Sequence, residues 1–160
     1  MSRRRVVVTG LGLVAPVGLN VKSSWENILA GKSGIQAITH FDVGPFSTRF
    51  GGPIYGFDPT QYIVPKEVRK MDKFIHYGMA AGTQAIEDSG LEITDANRKR
   101  IGVAIGSGIG GITGIENNYE AYRQGGPRKI SPFFVPANIV NMVAGNLSIK
   151  YGLKGPNYSI

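Results

Sequence analysis

The sequence predicts an α/β protein whose sheet is mixed and largely parallel, and three observations lead to this fold class. Short apolar runs predict strands at 6–9 and 101–105, and a third predicted strand follows Gly155. Helical periodicity fills the intervals between the strands, and crossovers of that kind make strand pairing largely parallel. The 23 glycines among 160 residues, about twice the usual share, indicate many tight turns.

The amino-terminal third is predicted to hold one buried strand, one short helix and a long loop. Residues 6–9 form an unbroken apolar run, which is typical of a strand buried on both faces. After a glycine-rich loop, Ser23 and Glu26 have the spacing of a capping box and predict a helix that ends at Gly31. Glycines and prolines interrupt every pattern over 32–58, which predicts a loop.

The middle third is predicted to be mainly helical. Pro59 and Pro65 indicate two helix starts, because proline is favoured in the first turn of a helix. Apolar residues at helical spacing predict a longer helix over 72–89, which Gly90 stops. A second buried strand is predicted at 101–105, before another glycine-rich loop.

The carboxyl-terminal third predicts two helices and a strand. The helices cover 113–122 and about 137–151, and Gly152 stops the second one. A Gly-Pro turn then leads into a strand that is still apolar at Ile160, so we expect this strand to continue in a longer protein. The sequence shows no internal repeat, and residues 1–160 are predicted to be one domain or part of one.

The chain has a formal net charge of +7, and its basic residues are unevenly placed. No acidic residue follows Glu120, and a surface of one sign favours an acidic partner. An acidic protein is expected rather than nucleic acid, because the sequence lacks interleaved aromatic residues and an RNA-binding signature. The basic residues that follow Glu120 are Arg123, Arg128, Lys129, Lys150 and Lys154.

Composition also excludes several classes of protein. No apolar run approaches the ~18 residues that a membrane-spanning helix needs, so no membrane association is expected. The apolar segment at 6–10 is too short and too β-like for a signal peptide, which favours a cytoplasmic location. The absence of cysteine excludes disulfides and argues against a structural zinc site, and we expect neither metal nor cofactor.

Two glycine-rich segments, at 10–15 and 106–111, match the spacing of the dinucleotide-binding fingerprint. Such a site also needs an acidic residue at the end of a second strand, ~20 residues further on. Glu26 lies in the predicted capping box and Asp42 in a loop, and the acidic residues after the second segment lie in a predicted helix. We therefore expect these glycines to serve backbone packing, and a dinucleotide-binding protein remains a remote alternative.

Eight stretches in order along the chain carry motifs of a single family. They are RRVVVTGLG at 4–12, PVG at 16–18, KMDKF at 70–74, DSGL at 88–91, GSGIGG at 106–111, GGPRKISPFFVP at 125–136, NMVAG at 141–145 and GPNYSI at 155–160. In these stretches the chain resembles the β-ketoacyl-acyl-carrier-protein synthases, most closely the elongating synthase II type. Ala15 and the pair Asn157-Tyr158 are mild departures from the family pattern.

The resemblance implies a thiolase-like fold, which is built from two related α/β halves. Residues 1–160 would be most of the first half, truncated before the strand-to-helix turn that carries a nucleophilic cysteine. The implied reaction is a decarboxylative Claisen condensation of an acyl thioester with malonyl-carrier protein. The cysteine and the catalytic histidines are expected beyond Ile160, and His40 and His76 match neither histidine. We therefore expect no catalytic residue in this chain, which alone should be inactive.

The resemblance also assigns residues that bind the substrate and the carrier. Ile109 matches the floor of the acyl pocket, and Phe134 and Val135 match residues that family members lend across a homodimer interface to the neighbouring pocket. Lys66, Arg69 and Lys70, which helical spacing could place on one face, and Arg128 with Lys129 are expected to dock the acidic acyl carrier protein. Without the resemblance, core packing and a solvated charged surface explain the same residues.

One alternative within this family is a non-catalytic partner subunit. Some ketosynthase relatives lack the nucleophile and act as chain-length or interaction subunits. The residue at the nucleophile position distinguishes the two possibilities, since cysteine indicates an enzyme and another residue indicates a partner.

Overall fold

The computed structural model describes residues 3–160, which contain six α-helices and four short strands. The helices are α1 (Val21–Leu29), α2 (Pro65–Val68), α3 (Lys73–Asp88), α4 (Ile112–Gly125), α5 (Phe134–Asn138) and α6 (Met142–Tyr151). The strands are β1 (Gln36–Ala37), β2 (Phe50–Gly51), β3 (Val103–Ile105) and β4 (Asn157–Ser159), and 3₁₀ turns lie at Pro59–Gln61, Arg98–Arg100 and Pro127–Lys129. Within residues 3–160, no helix combines the length and apolar character needed to cross a membrane.

The chain divides into two compact units. The first comprises the residues up to Asp58 together with Gln84–Gly90, and the second comprises Pro59–Thr83 together with Leu91–Ile160. Strands β1 and β2 pair antiparallel in the first unit, whereas β3 and β4 pair in parallel in the second. All the site residues expected from the sequence lie in the second unit.

In the first unit, the predicted short helix is present but begins earlier than expected. Asn20 caps α1, and its Oδ1 accepts the Ser23 backbone N–H at 2.8 Å, so the capping box predicted at Ser23 is wrong. The chain leaves the helix through Gly31, whose φ of +66° favours glycine. The segment predicted as a loop contains the two-residue strands β1 and β2 but is otherwise irregular, as expected.

The strand predicted at 6–9 is not formed. This segment is irregular, and the side chains of Val6 and Val8 are 89% and 80% exposed. A strand is stabilised by a hydrogen-bonded neighbour, and 6–9 belongs to neither ladder within residues 3–160. Apolar composition alone therefore does not produce a buried strand in this part of the chain.

The core of the second unit lies between α3 and α6. Gly78 and Gly82 on α3 face the side chains of Val143 and Leu147 on α6, and the lack of a Cβ lets the two helices approach closely. Helix α3 was predicted from apolar periodicity, and Gly90 and Gly152 follow α3 and α6 with φ values of +62° and +66°. The main cluster of buried hydrophobic side chains comprises Ile63, Ile75, Met79, Val143 and Leu147.

The parallel pair confirms the predicted strands at 101–105 and after Gly155. Val103, Ala104 and Ile105 pair in register with the three residues of β4, and the Ser107 N–H donates to the Ile160 carbonyl at 3.0 Å. The pair is covered on one side only, because Ala104 is exposed and Tyr158 on β4 is 62% exposed. The strand predicted to be buried at 101–105 is therefore covered on one face only within residues 3–160.

The helix predicted over 137–151 is two helices with a break between them. Ile139 adopts an extended backbone with ψ of 139°, which ends α5. The Asn138 carbonyl accepts the N–H of Gly111 at 3.0 Å instead of closing a further helical turn. The hydrogen bond between Asn138 and Gly111 therefore replaces a helical hydrogen bond and breaks the helix. The spacing of apolar residues along the sequence does not show where this break lies.

Candidate functional site

The residues expected to contact an acyl chain lie together in the second unit. Ile109, Phe134 and Val135 line an open, mainly apolar groove of about 380 Å³. Ile109 is 66% exposed and Val135 is 59% exposed, so both side chains are available to a ligand. The groove is completed by Ile115, Asn138, Ile139 and Val140. The geometry suits a hydrocarbon chain, and the acyl-binding role of the three residues stays a prediction.

Ile109 lies at the tip of the loop that connects β3 to α4. Two hydrogen bonds hold the carboxyl-terminal side of this loop, one from the Gly110 N–H to Ser107 Oγ at 3.1 Å and one from the Gly111 N–H to the Asn138 carbonyl. Gly110 has a φ of +80°, a conformation that L side chains rarely adopt. Around Gly108, by contrast, a Cβ would meet nothing within 4 Å. Ile109 is thus presented on a loop that is fixed on one side and open on the other.

The helix that follows this loop is capped from a distant part of the chain. Gly111 at the N-cap of α4 supplies no side chain, and the first turn of α4 contains no acidic residue. Asp72 supplies the missing acceptor, because its Oδ2 receives the Gly114 N–H at 2.6 Å. The Asp72 backbone N–H also donates to the Ala137 carbonyl at 3.2 Å. This role was not predicted from the sequence, although Asp72 lies within the KMDKF motif.

Asn138 is a second residue whose role was not predicted from the sequence. Its side chain is buried, its Nδ2 donates to the Phe134 carbonyl, and its Oδ1 has no hydrogen-bond partner among residues 3–160. A Cβ at Gly111 or Gly114 would overlap Asn138 Oδ1, so these two glycines leave the space that the amide occupies. The packing of Asn138 therefore explains why glycine is required at both positions.

A second groove of about 380 Å³ in the same unit is more polar. The cations of Arg69 and Lys73, the His76 ring and the amide of Asn118 are among the groups that line it. His76 is only 9% exposed, and its Nε2 lies 3.0 Å from the Val68 carbonyl. Burial lowers the pKa of His76 below its usual 6.5, and the hydrogen bond to Val68 opposes this effect.

The lowered pKa of His76 makes stability depend on pH. As the pH falls below 6.5, the unfolded chain binds a proton at this ring that the folded chain binds less readily, so the free energy of unfolding should decrease. Urea unfolding at about pH 7.5 and about pH 5 measures this change. His76→Gln should show a smaller decrease than the wild type, and an equal decrease in the two proteins would contradict the assignment to His76.

The basic residues expected to dock a carrier protein do not share one helical face. Helix α2 ends at Val68, so Arg69 and Lys70 follow the helix that contains Lys66, and that expectation is wrong. Lys66 and Arg69 are exposed, whereas Lys70 is 2.9 Å from Glu67 Oε1 and lies over the Phe133 ring at 5.3 Å.

Two further docking candidates lie on the 3₁₀ turn that follows α4. Arg128 and Lys129 are both exposed there. Four of the five expected docking cations are therefore exposed to solvent, namely Lys66, Arg69, Arg128 and Lys129. The fifth, Lys70, is paired with Glu67. Docking at any of them stays a prediction.

The two glycine-rich loops use their backbone amides within the chain itself. In the first loop, the Leu11 N–H donates to Asp88 Oδ2 at 2.9 Å and the Leu13 N–H donates to Gln84 Oε1 at 3.1 Å. In the second loop, the Gly110 N–H donates to Ser107 Oγ at 3.1 Å and the Gly111 N–H donates to the Asn138 carbonyl at 3.0 Å. Oxygen atoms of the protein therefore accept the loop amides that a dinucleotide site would present free to a pyrophosphate.

The histidines form no metal site in the part of the chain that the structure describes. His40 lies in an exposed loop with its ring 4.9 Å from the Phe41 ring, and His76 is buried. Residues 3–160 contain no cluster of three or more histidine, cysteine or acidic side chains able to hold a metal ion.

Comparison with solved structures identifies the class of fold. The chain superposes on a ketosynthase solved in complex with a type II polyketide acyl-carrier protein, with a TM-score of 0.77 and 27% identity over 95% of this chain and 40% of that one. A ketosynthase/chain length factor of ishigamide biosynthesis gives a TM-score of 0.83 with 24% identity over 99% of this chain and 40% of that one. The predicted thiolase-like α/β fold is therefore confirmed.

The family follows from the sequence comparison. Residues 3–160 match the family described as Beta-ketoacyl synthase, N-terminal domain, and the chain belongs to that family. It is 62% identical over all of its 160 residues to 3-oxoacyl-[acyl-carrier-protein] synthase 2 of Vibrio cholerae and 54% identical over the same length to the protein of that name from Coxiella burnetii. The chain spans 39% of the length of each relative.

Proposed function

We propose that the complete protein carrying this chain is a 3-oxoacyl-[acyl-carrier-protein] synthase that elongates fatty acids. The observation that carries the proposal is the apolar groove containing Ile109, Phe134 and Val135, in a chain 62% identical to a synthase of that name. A groove of about 380 Å³ with few polar groups suits an acyl chain better than a nucleotide. Residues 1–160 form the N-terminal ketoacyl-synthase half in this proposal.

The proposed reaction has an acyl-transfer step and a condensation step. An acyl group passes from the carrier thioester to a cysteine thiolate, and the carrier thiol is released. Malonyl-carrier protein then loses carbon dioxide, and the resulting carbanion attacks the acyl-cysteine, which forms a carbon–carbon bond and frees the cysteine thiolate. Because residues 1–160 contain no cysteine, the nucleophile comes from another part of the complete protein. This chain contributes the acyl groove and the docking cations.

We further propose an acyl carrier protein as the partner, a homodimer as the assembly and the cytoplasm as the location. The net charge of +7 and the exposed cations Lys66, Arg69, Arg128 and Lys129 favour an acidic carrier. In the homodimer, Phe134 and Val135 also approach the neighbouring subunit's pocket. Within a single chain they share a groove with Ile109. In the proposed homodimer, the pair lent by the neighbouring subunit would add to this groove, and the site would then combine residues of both subunits.

The test of the proposed function is a condensation assay with the complete protein. Purified protein, an acyl-carrier thioester and malonyl-carrier protein should yield the 3-oxoacyl product and one carbon dioxide per product. A chain-length or partner subunit of the same fold would yield product only when a second ketosynthase is added. Failure in both cases would overturn the proposal. The 160-residue chain alone should yield none.

Carrier docking is tested by charge reversal. The double variant Lys66→Glu/Arg69→Glu should raise the apparent KM for carrier-bound primer about tenfold, because steering and docking of an acidic partner are both weakened. The KM for a small thioester without carrier should stay within about twofold. Added salt should reduce the difference between wild type and variant, because both cations are exposed.

The matched control for docking is Lys99→Glu/Arg100→Glu. These two cations are also exposed but lie outside the predicted docking residues. The control makes the same change in net charge, so it should alter the KM for carrier-bound primer much less. Equal effects of the two double variants would contradict a local docking site.

A further inference from the structure

We infer that Asp72 is a positioning residue that holds the two walls of the acyl groove in register and so determines how well long acyl chains are used. The inference rests on the proposed function for its substrate. Asp72 does not line the apolar groove, and it acts through the backbone of the two segments that do. The Ile109 loop with α4 is one wall, and α5 is the other.

Asp72 is bonded to both walls at once. Its Oδ2 accepts the N–H of Gly114 in the first turn of α4 at 2.6 Å, which fixes the start of the helix that follows Ile109. Its backbone N–H donates at 3.2 Å to the carbonyl of Ala137 in α5, the helix that carries Phe134. Among the residues that the structure describes, no other acidic side chain caps α4. A single residue therefore links the elements that carry Ile109 and Phe134.

The side-chain link has no local substitute. The first N–H groups of a helix lack helical partners, and an unpaired one is costly when it is shielded from water. Gly114 is half-buried beside Asn138, and the Asn138 Oδ1 accepts no hydrogen bond from it. Without the Asp72 carboxylate, the Gly114 N–H loses its acceptor and the start of α4 is free to move. The bonds from Gly110 to Ser107 Oγ and from Gly111 to the Asn138 carbonyl still hold the loop, but neither of them reaches the first turn of α4 at Gly114.

The chain-length dependence follows from where the link acts. A short acyl group needs few groove contacts, whereas a longer one extends along both walls and depends on their spacing. Loss of the link should therefore affect long primers selectively. A general loss of folded enzyme would instead reduce the rates with all primers by the same factor.

The test compares Asp72→Ala with Asp72→Asn and Asp88→Ala in the complete protein. Asp72→Ala should lower kcat/KM about tenfold for a long acyl primer and less than about twofold for a short one. Asp72→Asn keeps an oxygen that can accept the Gly114 N–H, so it should recover most of the activity with long primers. Asp88→Ala removes a comparable bond, between Asp88 Oδ2 and the Leu11 N–H at 2.9 Å in the other unit, and should leave the ratio between primers unchanged.

Hydrogen exchange separates this inference from the proposed function. In Asp72→Ala, the Gly114 amide and its neighbours should exchange about tenfold or more faster than in the wild type, and in Asp88→Ala they should not. Hydrogen exchange can be measured even if the complete protein has no condensing activity. In that case the proposed function is wrong, but the exchange rate at Gly114 still tests the positioning role of Asp72. Unchanged exchange at Gly114, or equal losses with long and short primers, would overturn the role of Asp72.

Discussion

Replacing Ile109 with phenylalanine in the complete protein should lower kcat/KM for long acyl primers roughly tenfold or more, while short primers keep nearly full activity. Ile109 is 66% exposed and projects at a groove of about 380 Å³, so a larger side chain takes space that a long acyl chain needs. The substitution should be tolerated by the fold, because the side chain is not packed in the core and the region around Gly108 is open. Steady-state kinetics over a series of primer lengths measures the effect.

The matched control for this substitution is Ile112→Phe. Ile112 is 53% exposed at the start of α4 and does not line the groove, so the same increase in size should not change the preference for primer length. A preference that is unchanged in Ile109→Phe, or changed equally in both variants, would remove Ile109 from the acyl site. The two variants therefore distinguish an effect of side-chain size inside the groove from a general effect of placing phenylalanine in this part of the chain.

Elements whose stability comes from local pattern could be predicted from the sequence. The apolar residues of α3 recur at helical spacing over the predicted 72–89, and the structure has Lys73–Asp88. Gly90 and Gly152 stop helices because each adopts a positive φ that favours glycine. The strand after Gly155 was predicted from its turn and apolar residues, and it pairs in parallel with β3.

Elements that depend on distant partners could not be predicted. An apolar run such as 6–9 becomes a strand only where a neighbouring strand accepts its hydrogen bonds, and residues 3–160 form no ladder there. The break between α5 and α6 arises because the Asn138 carbonyl bonds to Gly111, 27 residues earlier in the chain. Periodicity describes one segment at a time and does not report such a bond.

The same distinction applies to the site. The resemblance to ketoacyl synthases predicts that Ile109, Phe134 and Val135 bind the acyl chain; the structure places them in one groove, and the acyl-binding role stays a prediction. Asp72 and Asn138 were missed because each acts on backbone groups far away in the sequence, and no spacing rule connects Asp72 with Gly114. The KMDKF motif was a signal for Asp72, but only the structure shows which atom it bonds.

The packing of α3 against α6 predicts that glycine-to-alanine substitution lowers the free energy of unfolding at Gly78 and raises it at Gly145. Alanine is favoured over glycine inside a helix by about 1 kcal/mol, so Gly→Ala should stabilise a helix where the added methyl has room. At Gly78 on α3 the methyl would overlap the side chain of Val143, which is 2% exposed and stiff because it is branched at Cβ. Overpacking of this kind costs roughly 1–3 kcal/mol, which exceeds the gain in helix propensity, so Gly78→Ala should be destabilising.

Gly145 on α6 is the matched position, because a Cβ there would meet nothing within 4 Å. Gly145→Ala should therefore raise the free energy of unfolding by about 0.5–1 kcal/mol, and the two variants should differ by roughly 2 kcal/mol in urea unfolding. Adding Val143→Ala to Gly78→Ala should restore part of the loss, because the smaller side chain makes room for the new methyl. If both glycine variants were stabilised equally, α3 and α6 could not be packed as closely as Gly78 and Val143 require.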